Sequence, residues 1–138
     1  MEDSSPEQVR PELYAYLSYV DAPAAIAWLE AVGFRVAVRQ DGDSGEVVHA
    51  ELEMGDVVVM VASDDAEYDV PALKGGSVGR GLYVRTGSVD QLYERAVRAG
   101  GKPVVEPEET EWGSRRARVL DPGGHEWSFG TYRPGSAG

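Results

Sequence analysis

EWGSRRARVLDPGGHEWSFGT, residues Glu111 to Thr131, reads as a strand, a tight turn and a second strand. Asp121-Pro122-Gly123-Gly124 is the turn: proline presets φ, and glycine accepts a positive φ without steric cost. The flanks alternate with period two. Ala117 and Val119 fall on one face of the first strand, and Arg116 and Arg118 on the other. In the second strand Trp127 and Phe129 share a face, opposite Glu126 and Ser128. One face of the hairpin is therefore core. The other carries two guanidiniums, a carboxylate and a hydroxyl, with Trp112 at its mouth, and calls for water or a ligand.

The rest of the chain supplies a matching half. With 138 residues, 42% of them hydrophobic, there is enough apolar surface for one domain or two half-sized units sharing a core. There are no cysteines, which excludes disulfides and thiolate metal sites. The first residues, MEDSSPEQVRPE, lack the build of a signal peptide, and no apolar run reaches the roughly 20 residues that span a bilayer. A cytoplasmic protein without a membrane partner is expected. The net charge of −11 repels nucleic acid. It serves solubility, and it also attracts cationic partners.

Residues 1–11 read as a flexible tail. LYAYLSYV, Leu13 to Val20, alternates as a strand. Asp21 caps a helix with Pro23 in its first turn, and Ala25, Ile26, Leu29 and Val32 form its apolar stripe up to Gly33. Strands follow at Phe34 to Arg39, at Val47 to Leu52 (Val48, Ala50 and Leu52 inward) and at Val57 to Val61. Residues 63–79 read as a linker. The order then repeats: a strand over Leu82 to Thr86, a helix opened by a capping box of Ser88 and Gln91 with Leu92, Ala96 and Ala99 inward, a strand starting at Pro103 to Val105, and the opening hairpin. Glu106 to Glu111 reads as a solvated loop, and residues 133–138 as a second tail. An offset of 67 residues lays Gly33 on Gly100, Leu17 on Val84 and Tyr14 on Gly81. The fold class is α+β: paired βαβββ modules, 12–62 and 80–132, forming a curved mixed sheet.

Three segments in this order, YLSYVDAPAAIAWLEAVGF, VVHAELEMGDVVVMV and WGSRRARVLDPGGHEWSFGTY, resemble the vicinal oxygen chelate superfamily of glyoxalases, bleomycin-resistance proteins and extradiol dioxygenases. The resemblance covers Leu13 to Tyr132. It implies that each module curls its sheet into half of a cup, with helices outside and a ligand within, and that two chains pair as a homodimer. By alternation, Leu13, Leu17, Val48, Leu52, Val59, Leu82, Val84, Trp127 and Phe129 meet the helices. Tyr14, Tyr16, Ser18, His49, Glu51, Val58, Met60, Tyr83, Arg85, Arg116, Arg118, Glu126 and Ser128 line the cup.

Enzymes of that superfamily hold a divalent metal at four positions that fall here on Tyr14, Met60, Gly81 and Ser128. Such metals want imidazole and carboxylate ligands, which these residues do not supply. The resemblance therefore implies a binding protein without cofactor or metal, as in the bleomycin-resistance branch. Its expected ligand-binding residues are Tyr14, Tyr16, His49, Glu51, Met60, Tyr83, Trp112, Arg116, Arg118, Glu126 and Ser128. The acidic balance suits a cationic or aromatic drug-like ligand, with Glu51 and Glu126 meeting its cations and Tyr or Trp stacking on its rings. Trp112 serves either as that stacking face or as a plug at the sheet edge. Arg116 and Arg118 hold either a ligand anion or neighbouring acids. The alternative is a metal-dependent lyase or dioxygenase with a site displaced to His49, Glu51 and Glu126; a third reading is a dimeric scaffold.

Overall fold

The structure is a computed structural model that describes residues 12–64 and 81–135. The tail at 1–11, all but the first two residues of the linker at 63–79, and the last three residues lie outside the described residues.

The elements follow the expected order twice. They are β1 (Ala15–Tyr19), α1 (Ala22–Val32), β2 (Arg35–Asp41), β3 (Val47–Met54) and β4 (Val57–Ser63), then β5 (Gly81–Arg85), α2 (Val89–Arg98), β6 (Lys102–Glu109), β7 (Arg115–Leu120) and β8 (Glu126–Gly130). They build two four-stranded sheets, ordered β1-β4-β3-β2 and β5-β8-β7-β6. In each sheet the first strand runs parallel to the last and the other pairs are antiparallel. A parallel pair needs a crossover, and in each module a helix supplies it. The duplication is exact enough to hold in register: Tyr16 sits opposite Met60, and Tyr83 opposite Ser128. Among the described residues no helix is long and apolar enough to cross a membrane.

Local chemistry explains the helix ends. The Asp21 side chain accepts from the Ala24 amide at 3.1 Å, and Pro23 occupies the first turn of α1. Gly33 and Gly100 both adopt positive φ (141° and 112°) where the helices stop. At α2 the expected capping box is absent. The Ser88 side chain makes no cap bond; instead the Thr86 hydroxyl accepts from the Ser88 amide at 2.9 Å, and Gln91 is exposed. Val89, Leu92 and Ala96 form the buried stripe, and Ala99 is only half-buried.

Three further expectations need correction. Leu13 is 98% exposed, because β1 begins two residues later. Val48 is 50% exposed while Val47 is buried. A register shift pairs Asp41 with Val47 and Gln40 with His49, so Val48 is the extra residue of a bulge and the alternation inverts across it. Glu106 to Glu109 belongs to β6 and is not a loop. This strand lies at a sheet edge and carries two prolines, a position where a missing amide costs no ladder bond.

The core is one cluster that joins the modules through their helices and inner sheet faces. Trp127 packs its ring edge-on against Phe34 (5.8 Å between centroids) and beside Trp28 (6.1 Å). Trp28 is buried in α1, as its place on the helix suggests, and donates to the Ala96 carbonyl of α2 at 3.0 Å. A Cβ on Gly101 would stand 2.8 Å from that same carbonyl oxygen.

Asp121, 4% exposed, is the buried carboxylate of this core. It accepts from the Tyr19 hydroxyl (2.6 Å), Trp127 Nε1 (3.0 Å) and the amides of Gly123 and His125 (both 2.9 Å). Asp121→Ala leaves these donors unpaired and should lower the unfolding free energy by roughly 2–4 kcal/mol in chemical denaturation, with Tyr19→Phe costing about half as much. Burial, and then the Asp121 charge, push the Tyr19 phenol well above its ordinary pKa of 10.0. The unfolded chain ionises this phenol near pH 10 while the fold keeps it neutral, so the unfolded state binds fewer protons there and stability falls as pH rises. Wild type should lose up to about 1.4 kcal/mol per pH unit more than Tyr19→Phe above that pH; parallel curves would contradict the assignment.

Candidate functional site

The site grows from the outward face of the second sheet. Strand register aligns Tyr83, Ser128, Arg118 and Val105 in one row across β5, β8, β7 and β6. The adjacent row is Arg85, Gly130, Arg116 and Glu108. The Tyr83 ring leans across Gly130, where a Cβ would stand 2.5 Å from its hydroxyl oxygen. That hydroxyl donates to the Tyr132 carbonyl at 2.5 Å, and partial burial raises its pKa.

The turn between β6 and β7 forms the rim. Thr110 Oγ1 accepts from the Trp112 and Ser114 amides (3.3 and 3.2 Å) and bonds the Ser114 hydroxyl at 2.7 Å. Gly113 adopts a φ of 83°. This hydroxyl-bonded turn holds Trp112 with 78% of its surface bare. Between rim and floor lies a cavity of about 470 Å³, with Tyr83, Trp112 and Tyr132 among its walls and Arg118 and Ser128 on its floor. That size accommodates a drug-sized molecule.

The three arginines of β7 differ in commitment. Arg115 makes a two-pronged pair with Asp90 (2.6 and 2.8 Å) and a third bond to Glu109 at 3.2 Å. These bonds to Arg115 hold the Asp90 carboxyl below its ordinary range. Arg116 pairs with Glu108 at 2.7 Å. Arg118 donates Nε–H to Ser128 Oγ at 3.0 Å, and its nearest carboxylate, Glu126, is 3.8 Å away.

Of the residues expected to bind a ligand, Tyr83, Trp112, Arg116, Arg118 and Ser128 surround this one cavity. Tyr16 and Glu126 border a smaller one of about 210 Å³ with His125. His125 itself donates to the Ser18 carbonyl at 3.0 Å. His49, Glu51 and Met60 lie on the outward face of the first sheet, where His49 and Glu51 pair at 2.8 Å. Tyr14 precedes β1, donates to Glu12 at 2.6 Å and borders a separate groove with Leu82 and Trp127. The expected lining is thus split between two sheets and does not close into one cup within the chain. Tyr132, Val105, Thr110 and Ser114 also face the cavity and were not foreseen. The spacing of Thr110 and Ser114 around Trp112-Gly113 was the available signal, since hydroxyls flanking a turn glycine commonly knit the turn.

The metal positions do not fit a divalent ion. Tyr14 is a phenol bonded to Glu12, Met60 a thioether, and the Ser128 hydroxyl accepts from Arg118. Gly81 has no side chain, and a Cβ there would meet Glu126 Oε1 at 2.9 Å. The displaced set is not assembled either: Glu126 lies on the second sheet beside Arg118, away from the His49–Glu51 pair. Among the described residues no three of His, Cys, Asp and Glu converge.

Comparison with known proteins agrees with this architecture. Residues 14–129 match the sequence pattern of the Glyoxalase/Bleomycin resistance protein/Dioxygenase superfamily. Uncharacterized protein Rv0887c of Mycobacterium tuberculosis (strain ATCC 25618 / H37Rv) is 32% identical over 138 residues, spanning 93% of this chain and 78% of that protein. The crystal structure of TioX from Micromonospora sp. ML1 superposes with a TM-score of 0.70 at 30% identity, over 90% of this chain and all of that one (100%). A glyoxalase-related enzyme from Fulvimarina pelagi shares the fold at 22% identity, with a TM-score of 0.64 over 88% of each chain.

The lean of Tyr83 depends on Gly130. Gly130→Ala should fold, with a loss of about 1 kcal/mol, while forcing the Tyr83 ring off the sheet and breaking its bond to Tyr132. Ring resonances of Tyr83 in NMR spectra should shift; unchanged resonances would contradict the close approach.

Proposed function

The chain belongs to the Glyoxalase/Bleomycin resistance protein/Dioxygenase superfamily, and we propose that it binds a flat organic small molecule without metal chemistry. The cavity of about 470 Å³ under the bare Trp112 indole carries this reading. A contiguous aromatic wall with a few convergent polar groups is the usual make-up of a ligand site. Trp112 offers a stacking face at the mouth, Tyr83 and Tyr132 line the sides, and Arg118 with Ser128 gives the floor its polarity. The donor set at the superfamily's metal positions supports binding over metal-dependent lyase or dioxygenase chemistry, because a phenol, a thioether and a hydroxyl make a poor cage for a divalent ion.

The same reading includes a cytoplasmic homodimer. Tyr14, just before β1, and Tyr16 and Tyr83 on the outward faces of the two sheets are well exposed in a single chain, and a second copy would cover such surface. A net charge of −11 favours a small-molecule partner over nucleic acid.

Trp28 and Trp127 are buried, so Trp112 alone among the three tryptophans reports on the cavity mouth. Flat polycyclic compounds should quench its fluorescence saturably, and Trp112→Ala should weaken their binding by roughly 3- to 10-fold, the scale of one aromatic stacking contact. Elemental analysis of the purified protein should find no stoichiometric transition metal. One tightly held metal per chain, or a broad aromatic panel that neither quenches nor raises the melting temperature, would overturn the proposal.

A further inference from the structure

Resting on that reading of the cavity, we infer that its ligand is an organic anion: a flat ring system whose carboxylate is held by the Arg118 guanidinium and the Ser128 hydroxyl. The overall charge points the other way, since 24 acidic residues face 13 basic ones. The walls reverse that balance. Arg115, Arg116 and Arg118 all line the cavity, and among the described residues no aspartate or glutamate does.

Among the described residues, only one of the three arginines has no hydrogen-bonded carboxylate. Arg115 and Arg116 are held by Asp90, Glu109 and Glu108 at hydrogen-bond distance. Arg118 makes one hydrogen bond among the described residues, from Nε to Ser128. A guanidinium carries five N–H donors, so most of its fork is uncommitted. Glu126, at 3.8 Å, is beyond hydrogen-bond reach and borders the other pocket instead.

Its position suits a planar acid. Arg118 stands in the middle of the floor row, between Ser128 and Val105, with tyrosine and tryptophan rings on the walls above. The fork geometry of a guanidinium matches a carboxylate, which accepts two parallel N–H bonds. The Ser128 hydroxyl oxygen already accepts from Arg118, which leaves its proton to donate to the same carboxylate. A cationic ligand of the same shape would meet the Arg118 guanidinium on the floor, while the carboxylates of Asp90, Glu108 and Glu109 are already taken up by Arg115 and Arg116. The repulsive field of the whole protein is screened over about 8 Å at physiological salt, so contacts inside the cavity decide the preference.

Three probes of one shape separate the possibilities on the full chain: 2-naphthoate, 2-naphthamide and 2-naphthylmethylammonium, titrated by calorimetry. The naphthoate should bind at least about tenfold tighter than the ammonium, the scale of a charge-assisted hydrogen-bond pair. Arg118→Gln should remove that preference, bringing naphthoate and ammonium to similar affinities, and Ser128→Ala should weaken naphthoate selectively by a smaller factor. The serine variant keeps the question answerable if Arg118→Gln fails to fold. If the amide or ammonium binds as tightly as the acid, or both variants bind naphthoate like wild type, the anion inference falls and the small-molecule reading stands. If none of the three probes binds, the small-molecule reading falls and the anion inference with it.

Discussion

The buried carboxylate of Asp121 ties the two modules together. It receives the Tyr19 hydroxyl from β1 of the first module and the Trp127 indole from β8 of the second, so one charge spans the junction. The same carboxylate accepts the Gly123 and His125 amides and thereby sets the turn between β7 and β8. A buried ion is tolerable only when its lone pairs are satisfied, and here four donors satisfy them. The turn in turn fixes the register that places Arg118 opposite Ser128. Core stability and site geometry therefore rest on one network. Gly123 is part of it: a Cβ there would stand 2.3 Å from the Tyr19 ring, so a side chain would push β1 off the hairpin. Its requirement is closeness, whereas Gly124, at a φ of 91°, answers the conformational one.

Much of the fold was legible because its signals are local. Two helices ended by glycines, strands of period two and a repeat at a fixed offset are all read from neighbours in the chain. The hairpin of residues 111–131 was read correctly on both faces: Ala117, Val119, Trp127 and Phe129 are buried, with Arg116, Arg118, Glu126 and Ser128 opposite. The errors arose where a distant partner decides. Val48 turned outward because its partner strand imposes a bulge, and nothing in VVHAEL marks that residue as the extra one. Glu106 to Glu109 became strand because β7 supplies ladder partners and ion pairs to a segment whose own propensity is poor. The Ser88 box is the local exception: Thr86, two residues upstream, captured the Ser88 amide. The site was half legible for the same reason: the aromatic and basic residues of the second sheet were named, but which acids neutralise which arginines depends on pairing between strands.

The arginines show how little net charge says about a site. Alternation sends every second residue of β7 to the outward face, and Arg116 and Arg118 are two residues apart, chemically identical and equally placed by pattern. They differ in what stands across from them: on β6, Glu108 in one case and Val105 in the other, and on β8, Gly130 and Ser128. An apolar neighbour leaves a guanidinium with donors to spare, while a carboxylate neighbour consumes them.

The duplication carries this contrast further. The row Tyr16, Met60 and Glu51 of the first sheet occupies the same places as Tyr83, Ser128 and Arg118 of the second. Only the tyrosine is retained. Glu51 and Arg118 thus stand at equivalent positions with opposite charge, one paired with His49 at 2.8 Å and the other bonded to a neutral hydroxyl. The backbone places all six side chains, since strand order and register are the same in both sheets. The inward faces cannot diverge as freely, because Leu52, Val59, Val119 and Trp127 share one close-packed core where a change of volume on one side is felt on the other. The outward faces meet no such constraint. A fold of this kind therefore keeps its frame through one shared interior while its two exteriors carry different chemistry, and among the described residues the exterior bearing Arg118 sets a guanidinium with a single hydrogen bond on the floor of a walled cavity.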